Sequence, residues 1–474
     1  MVLRLRSSIA LLLGLLAFAA APARAEWKAG AIPFCGGGAL AVDSAGTSHL
    51  VCNDSHGNYD ILRSATFNSL GARGPSAIIP LQGVYSGYYY VRSITIATDS
   101  RNRPHLALVV GTAYSIALDY LDIEKGHWRS QTIDTVDTVG IGAPQLTIDA
   151  NDIPHIAYTA ANGLLAHAYF NGGGWQIENL GVQVTPTAIE IAGDGTVHIA
   201  GLSNVANQPS QVCEERGANG SWTGECFDYP VVAPSLALAQ DGSPEMVYAV
   251  DSGALTIKVV RFDGSEWTTQ ATFDSSASGI SDFTSFASAI DSAGQVKIVL
   301  QDGSYHLQYV VEASNTWSAT DLGPLPIIYG LSLQLDTIGL PHTSFSMTDY
   351  VGFQIYFALL LPDLTDNWQS VASRVMSGKT WVAGRLLVKN IGTAATAKGS
   401  TVSYYLSSDA QLDPTDTLLG TAKLAVGAGK QKVVTFKFSP ATSVSGEYLI
   451  ASISPANPPD ETNASSTITA ILIP

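Results

Sequence analysis

Charged side chains are scarce in this sequence, and basic ones are the scarcer kind. Charged residues make up 14% of the 474 residues, with 24 Lys and Arg against 40 Asp and Glu, for a formal net charge of −16. Nucleic acids and anionic membrane surfaces recruit Lys and Arg, so this balance argues against both as partners. Divalent cations and neutral sugars remain compatible with it.

Long hydrophobic runs are few as well. The run IALLLGLLAFAAA follows Arg4 and Arg6 and precedes the small-residue segment ARA, an order typical of a secretory signal peptide. It is too short to span a bilayer, and no later run is longer. We predict that residues 1–25 are removed, which takes the net charge from −16 to −19 because Arg24 leaves with the other two arginines. We expect an exported chain, secreted, periplasmic or at the cell surface, without a transmembrane segment.

Cysteine is limited to two close pairs, Cys35 with Cys52 and Cys213 with Cys226. Each pair flanks a predicted hairpin turn, where facing strands bring side chains together, and export permits oxidation. A four-cysteine metal site would need CxxC-like spacing, which the sequence lacks. The pattern therefore favours two disulfides, Cys35–Cys52 and Cys213–Cys226.

What the sequence has in abundance is one repeated turn, in which Asp, or Ala in two copies, is followed by Gly, Asn or Asp and then most often by His. The copies are spaced about 43 to 56 residues apart, a period typical of propellers and solenoids. The seven copies are Asp43-Gly46-His49, Asp99-Asn102-His105, Asp149-Asp152-His155, Ala192-Gly195-His198, Ala239-Gly242-Glu245, Asp291-Gly294-Lys297 and Asp336-Gly339-His342. Asp caps such turns, and the third following residue tolerates a positive φ.

The pattern predicts four short strands in each copy, and the fourth begins at a tryptophan such as Trp128 or Trp175. Four-stranded blades bury their apolar faces on one another, and seven of them close a ring. The seventh copy lacks its tryptophan strand, and EWKAGAIP at 26–33 resembles that strand. We therefore predict an all-β chain with a seven-bladed β-propeller over residues 26–361, closed by its N-terminal strand.

The repeated histidines have two interpretations. A metal ring or proton relay would need them close together, whereas equivalent positions on separate blades lie far apart. Glu245 and Lys297 replace histidine in two copies, which a role within each blade tolerates. We favour a scaffold role, with each imidazole bonded across its Asp turn or to a neighbouring blade.

After residue 361 the spacing changes to short strands with Gly and Pro turns, typical of an antiparallel sandwich. Residues 362–474 resemble the bacterial CARDB family, cell-adhesion-related domains, in the segments LLVKNIGTAAT (386–396), VSYYLSSDAQLDPTDTLLG (402–420), VGAGKQKVVTFKF (426–438) and SGEYLIASISP (445–455). The resemblance implies an Ig-like β-sandwich, extracellular display or adhesion, and no catalysis. Of the asparagines that usually follow the family's acidic stretch, only Asn463 is present.

Two groups of residues are candidate binding sites. In the segment GVYSGYYYVRS, Tyr85, Tyr88 and Tyr90 offer flat, semi-polar rings and Arg92 a directed donor, at a blade junction where propellers bind ligands. The alternative is that alternate tyrosines, including Tyr89, pack between blades. In the second domain, one loop could bind calcium or simply be a solvated turn whose carboxylates bond their own backbone. Its acidic residues are Asp409, Asp413 and Asp416.

Catalytic signatures are missing: HExxH, GxSxG and a phosphate loop do not occur. The exported propeller resembles sialidases in outline, but their SxDxGxTW box is absent and this propeller holds only eight arginines. We predict a non-catalytic binding or adhesion protein, monomeric, whose propeller face binds an extracellular glycan or a surface protein. The alternative is a secreted glycoside hydrolase or lyase, because carboxylate pairs across blades are invisible in sequence.

Overall fold

A computed structural model of the chain shows strands, turns and no helix in the residues that it describes. The described residues are 26–33, 35, 37–55, 59–68, 73–79, 81, 89–112, 114–136, 141–218, 220–239, 241–251, 255–274, 280, 282–291, 294–313, 316–337, 339–347, 353–360, 364–390, 400–409, 415–427, 430–440, 444, 446–454 and 468–473. The predicted signal peptide lies outside them. The chain divides into two compact units, one spanning Ala29–Ala358 and the other containing Leu359–Pro474.

Seven four-stranded sheets, the blades, succeed one another along the first part of the chain. The first three blades are β2–β5 (Gly38–Val42, Ser48–Ser55, Asp60–Phe67, Arg73–Ile79), β6–β9 (Tyr89–Thr98, Pro104–Thr112, Ile116–Glu124, His127–Val136) and β10–β13 (Gln145–Ile148, Pro154–Thr159, Leu165–Phe170, Trp175–Asn179). The next three are β14–β17 (Val184–Ile191, Val197–Ser203, Val212–Ala218, Ser221–Phe227), β18–β21 (Pro230–Leu238, Pro244–Asp251, Leu255–Phe262, Trp267–Asp274) and β22–β25 (Phe283–Ile290, Val296–Asp302, His306–Ala313, Thr316–Pro324).

The seventh blade combines the two ends of the propeller sequence. Its strand order is β1-β28-β27-β26, from β1 (Glu26–Pro33), β28 (Phe353–Leu360), β27 (Pro341–Met347) and β26 (Ile328–Leu335). Ile32 of β1 is 1% exposed and packs in one cluster with Leu50 and Phe67 of the first blade. The N-terminal strand thus completes the last blade and contacts the first, so the fold is a seven-bladed β-propeller.

The repeated turn has the same geometry in all seven blades. The amide of its fourth residue donates to the carbonyl of the first over 2.8–3.0 Å, as in Gly46 N–Asp43 O. That fourth residue has a positive φ in every blade, from 61° at Asn102 to 88° at Gly195. The predicted tight turn, with its left-handed residue, is confirmed in each copy.

Neighbouring blades are joined by apolar packing and by the tryptophans of their fourth strands. Leu118 of the second blade and Ile156 of the third are fully buried in one cluster. At the outer rim, the indole N–H of Trp175 donates to Gln131 Oε1 of the preceding blade over 2.9 Å. Trp222 repeats this one blade later, donating to Glu178 Oε2 over 3.2 Å.

Both predicted disulfides are present. Cys213 and Cys226 are direct cross-strand partners on β16 and β17, with Cα atoms 4.1 Å apart. Cys35 precedes β2 and joins Cys52 of β3, with a Cα–Cα distance of 5.5 Å. Each bond therefore lies within the first or the fourth blade.

The second unit is built from two sheets that share one core. They are β29-β30-β33 and β32-β31-β34-β35, with strands β29 (Leu364–Met376), β30 (Lys379–Asn390), β31 (Thr401–Ser407), β32 (Thr417–Lys423), β33 (Gln431–Phe438), β34 (Tyr448–Ser454) and β35 (Ile468–Leu472). Leu386 and Phe436 of the first sheet pack with Tyr404 and Leu449 of the second. This arrangement is a two-layer β-sandwich.

Ring closure can be tested at Ile32. Replacing Ile32 by Ala should lower the free energy of unfolding by about 2–5 kcal/mol, the range for truncating a buried aliphatic side chain. Urea denaturation measures the change, with Ile78→Ala, at a 54% exposed isoleucine, as the control. Equal stability losses in the two variants would contradict a closing role for β1.

Candidate functional site

The two faces of the propeller differ, because every blade enters the ring in the same direction. Each inner strand ends in the repeated turn, so all seven turns share one face, the turn face. The connections between blades and those between second and third strands share the other, the loop face. Exposed apolar patches on one face of a soluble domain mark interaction surfaces.

Exposed tyrosines mark the loop face. Four described tyrosines of the propeller have more than a third of their surface exposed: Tyr114 (87%), Tyr229 (59%), Tyr305 (45%) and Tyr329 (55%). Tyr114 and Tyr305 lie between the second and third strands of blades 2 and 6. Tyr229 lies between blades 4 and 5, and Tyr329 is the second residue of the inner strand of blade 7. All four therefore belong to loop-face segments, although no two are near in sequence.

One buried amide, that of Gln301 in blade 6, bonds the backbone next to two of these tyrosines, and Gln301 is 0% exposed. Its Nε2 donates to the carbonyls of Leu325 (3.2 Å) and Pro326 (2.8 Å), and its Oε1 accepts from the amide of Ile328 at 3.0 Å. Tyr329 follows Ile328 directly. Gln301 thus fixes the segment that enters blade 7.

The loop at Tyr305 belongs to the same network. The carbonyl of Tyr305 accepts from the Leu325 amide over 2.8 Å, and Tyr305 has a φ of 66°. A left-handed tyrosine is uncommon and persists only where its surroundings hold it. His306, the next residue in the chain, has its Nδ1 2.8 Å from Asp321 Oδ2, which adds polar groups at the same end of blade 6.

At two further blade junctions on the loop face, a buried or half-buried carboxylate accepts hydrogen bonds from neighbouring groups. Asp228, with a φ of 44°, accepts from the Tyr248 hydroxyl at 2.6 Å and from Lys258 Nζ at 2.8 Å, next to exposed Tyr229. These bonds hold the pKa of Asp228 below its usual value, although burial opposes them. Asp60, 4% exposed, accepts from the amide of Val91 at 2.8 Å.

Of the tyrosine segment singled out in the sequence, Tyr85 and Tyr88 lie outside the described residues. Tyr90 is half-buried at the start of β6, where its ring lies so close to Gly111 that a Cβ there would be 2.6 Å from Cζ. Arg92 is exposed at a β-bulge, and its Nη2 donates to Tyr90 Oη over 2.7 Å. Tyr89 is 3% exposed, within the core of blades 1 and 2.

At the turn face, the inner strands of blades 1, 2, 3 and 7 surround a cavity of about 390 Å³. The turn carboxylates at its rim cap their own turns: Asp43 Oδ1 accepts from the amides of Ala45 (3.0 Å) and Thr47 (2.8 Å). Where Ala192 and Ala239 replace the turn Asp, a later residue caps instead, and Asp194 accepts from the amide of Thr196 at 2.9 Å. These acidic side chains are structural.

The repeated histidines contact the same turns. His49 Nε2 lies 2.8 Å from Asp43 Oδ2, and His105 Nε2 lies 3.3 Å from Asp99 Oδ2. His342 Nδ1 lies 2.8 Å from Ser48 Oγ of the adjacent first blade. These contacts agree with the scaffold interpretation. Among the described residues, no three His, Cys, Asp or Glu side chains form a group that could hold a metal ion.

Blade 3 contains a histidine pair that the sequence did not single out. His155 Nδ1 lies 3.0 Å from His167 Nε2, and His167 Nδ1 lies 3.3 Å from Glu178 Oε2. Burial lowers the pKa of both imidazoles to about 4, and for His155 the neighbouring His167 adds to the effect. Alternation along β11 and β12, which brings the two side chains to one side of the sheet, is the signal that could have found this pair.

Two carboxyl groups of blade 4 have a raised pKa. Burial raises the pKa of half-buried Glu190, on the inner strand β14, to about 7. Burial, with a smaller contribution from Glu214, raises that of Glu215 on β16 to about 7 as well. Glu190 lies two residues before its turn, so it belongs to the turn-face half of the blade rather than to the tyrosines.

The calcium prediction concerns the second unit. Asp413 lies outside the described residues, Asp409 is exposed and Asp416 is half-buried. The amide of Asp409 donates to Ser407 Oγ over 3.2 Å, as in a turn stabilised by its own side chains. Calcium binding here stays a prediction. Among the described residues, no helix is long and apolar enough to cross a membrane.

No protein family matches the sequence, and no curated protein does. Solved structures are similar at low identity. They include a protein of unknown function from Dyadobacter fermentans (10% identity over 58% of this chain and 95% of that one, TM-score 0.42), AofleA from Arthrobotrys oligospora (11%, 65% and 92%, 0.41) and YCF48 bound to a D1 peptide (13%, 70% and 94%, 0.44). Similarity this weak carries no functional argument, and the propeller is established by its sheet order.

The Gln301 network can be tested by a near-isosteric change. Gln301→Glu replaces two donated hydrogen bonds by a carboxylate facing two carbonyls, so stability should fall by at least about 1–3 kcal/mol. Amide hydrogen exchange at Ile328 should accelerate, because its acceptor is disturbed. Gln270→Glu, at an exposed glutamine, is the matched control. Unchanged exchange at Ile328 in Gln301→Glu would show that the network does not hold this segment.

The histidine pair predicts a pH dependence of stability. An unfolded histidine titrates near 6.5, above the folded pKa of about 4. The unfolded chain therefore binds more protons between these values, so stability is complete above pH 6.5 and falls as pH falls towards 4. The double variant His155→Gln/His167→Gln should lose less stability between pH 7.5 and pH 5 in urea denaturation than the parent. His127→Gln, at an exposed histidine, should leave the parent's pH dependence intact.

Proposed function

We propose that this chain is an exported, non-catalytic binding protein whose propeller loop face binds a neutral carbohydrate or the side chains of a protein partner. The observation that supports the proposal most is the gathering of Tyr114, Tyr229, Tyr305 and Tyr329 on one face. Tyrosine presents a flat apolar ring and a hydroxyl, a combination suited to sugar rings, which have apolar faces and hydroxyl edges.

The patch at blades 6 and 7 is the best-supported part of this surface. Gln301 ties the segments of Tyr305 and Tyr329 together from below, and His306 with Asp321 adds hydrogen-bonding groups at the same end of blade 6. Segments that are ordered before binding lose less conformational freedom on binding. The sequence prediction adds Tyr85, Tyr88, Tyr90 and Arg92 to the residues that we propose for ligand binding.

For the second unit we propose an Ig-like, CARDB-like role as spacer or partner contact. The support is the sequence resemblance over residues 362–474 together with a two-sheet sandwich whose core is shared by both sheets. In this arrangement the propeller presents the ligand face and the sandwich contributes no catalytic group.

Glycan binding is tested by substituting the blade 6–7 tyrosines. Tyr305→Ala/Tyr329→Ala should weaken binding to a neutral glycan found on an array by at least about tenfold, or 1.4 kcal/mol, because two stacking surfaces are lost. Isothermal titration measures the affinity, which should change little with salt since few charges take part. Tyr305→Phe/Tyr329→Phe should keep most of the affinity, and Ile177→Ala, at an exposed residue of an outer strand, should keep all of it.

A parallel variant addresses the blade 2 segment. Changing Tyr85, Tyr88 and Tyr90 together to Ala should also weaken binding while circular dichroism shows an intact fold. If both sets of alanine variants bind as the parent does, the loop face is not the binding surface.

A secreted glycoside hydrolase or lyase is the second candidate, favoured by the carboxyl groups of Glu190 and Glu215. A carboxyl group with a pKa of about 7 keeps its proton near neutral pH, as a general acid requires. This candidate predicts turnover of a polysaccharide or glycoside that is lost in Glu190→Gln or Glu215→Gln. Such turnover by purified protein would overturn the non-catalytic proposal.

A further inference from the structure

The tip of the β29–β30 hairpin carries apolar side chains in an exposed position. Val375 is 73% exposed and Met376 is 56% exposed, directly before a two-residue turn. Ser377 and Gly378 form this turn with φ values of 54° and 72°, the left-handed pair of a tight hairpin. Two neighbouring exposed aliphatic side chains at a convex turn add nothing to the core of the sandwich.

The β29–β30 hairpin also extends beyond the third strand of its sheet, β33. Strand β33 pairs with β30 from Lys389 only as far as Val382, and β30 begins three residues earlier at Lys379. Three strand residues span about 10 Å. Beyond β33, the Ser439 hydroxyl contacts this arm and donates to the carbonyl of Thr380 over 2.9 Å.

The charged side chains of the hairpin tip itself are positive. Arg374 and Lys379 flank the two apolar residues and are exposed. Lys437 Nζ lies over the ring of Trp381, 4.5 Å from its centroid. The hairpin sequence from Val371 to Ala383 contains no Asp or Glu. The tip therefore combines cations, two aliphatic side chains and a half-buried tryptophan.

The positive charge of the hairpin tip contrasts with the negative net charge of the whole chain. Residues 362–474 hold 9 of the 24 Lys and Arg but only 8 of the 40 Asp and Glu. The acidic excess that argues against anionic surfaces thus belongs to the propeller. In solution of about 0.1 M salt, charges more than roughly 10 Å apart are largely screened, so the cations of the tip act mainly on groups within that distance.

We propose that the hairpin tip binds the surface of an anionic lipid bilayer, with Val375 and Met376 inserted at the headgroup level and Arg374, Lys379 and Lys437 against lipid phosphates. Cations near an anionic leaflet and apolar side chains in its interface act together. A tryptophan, with its apolar ring and N–H, suits the same depth. A convex tip fits a deformable interface directly, whereas a protein partner would need a matching pocket. This proposal is independent of what the propeller binds.

Vesicle binding tests the proposal with the full mature chain. Vesicles of phosphatidylglycerol and phosphatidylethanolamine should co-sediment the protein, and vesicles of phosphatidylcholine alone should bind at least about tenfold less, because the cations lose their partners. Raising NaCl from 50 to 500 mM should weaken binding. A polarity-sensitive fluorophore on Ser377→Cys should shift to the blue with the anionic vesicles, since both native cysteine pairs are disulfide-bonded and leave this thiol unique.

Two kinds of variant separate the apolar and the ionic contributions. Val375→Ser/Met376→Ser should lower the partition coefficient by about tenfold or more, and Arg374→Glu/Lys379→Glu should abolish binding. The control Leu418→Ser/Leu472→Ser changes leucines of the same unit that are 53% and 52% exposed, and it should bind as the parent does.

Three results would overturn the proposal. They are equal binding to phosphatidylcholine vesicles, binding that the tip variants leave intact, and absence of binding. Self-association of the vesicle-free protein at low salt, removed by Arg374→Glu/Lys379→Glu in sedimentation velocity, would instead assign the tip to an acidic propeller of a second copy. These vesicle and sedimentation results are independent of the glycan assays, because the tip variants should bind glycan as the parent does.

Discussion

Apolar packing between blades is the interaction on which the rest of the propeller depends. A four-stranded blade has two sheet faces, and a residue such as Ile156 or Leu118 is fully buried only because a second blade covers it. An open ring would leave one such face exposed to water. Ile32 of the N-terminal strand prevents this at the first blade, because it packs against that blade in one buried cluster. Because each blade has four antiparallel strands, every inner strand also points the same way. The separation of a turn face from a loop face follows from that constraint.

Features that depend on local chemistry were predictable from the sequence. The left-handed turn residue is set by a few neighbouring atoms, so Gly46 or Asn102 could be identified without a structure. The tryptophan that begins the fourth strand and the paired cysteines are similar cases. At Ala192, which replaces the turn Asp, the repeat pattern did not predict that Asp194 caps the turn, because a carboxylate at a different position of the turn can accept from its backbone amides.

The sequence predicted the type of residue at the candidate site, tyrosine, but not which tyrosines are exposed there. A tyrosine-rich surface was expected from GVYSGYYYVRS, where the residues are adjacent in sequence, yet the described exposed tyrosines are scattered from Tyr114 to Tyr329. They share a face only because the ring brings one loop from each blade to it, a relation that requires the closed fold. Gln301 was missed for a related reason: the partners that link it to the segment entering blade 7 lie 24 to 27 residues away along the chain, and a buried amide has no sequence signature.

The two proposed surfaces differ in how much order binding needs, and the structure of each suits the ligand that we propose for it. A sugar ring is rigid, so the protein must hold its rings in advance, and the buried amide of Gln301 and the carboxylate of Asp228 order the adjoining segments. A bilayer interface adapts to what enters it, so a two-residue tip needs only exposure and the right charges. Val375 and Met376 therefore gain nothing from a supporting network, whereas Tyr305 and Tyr329 would lose affinity without one.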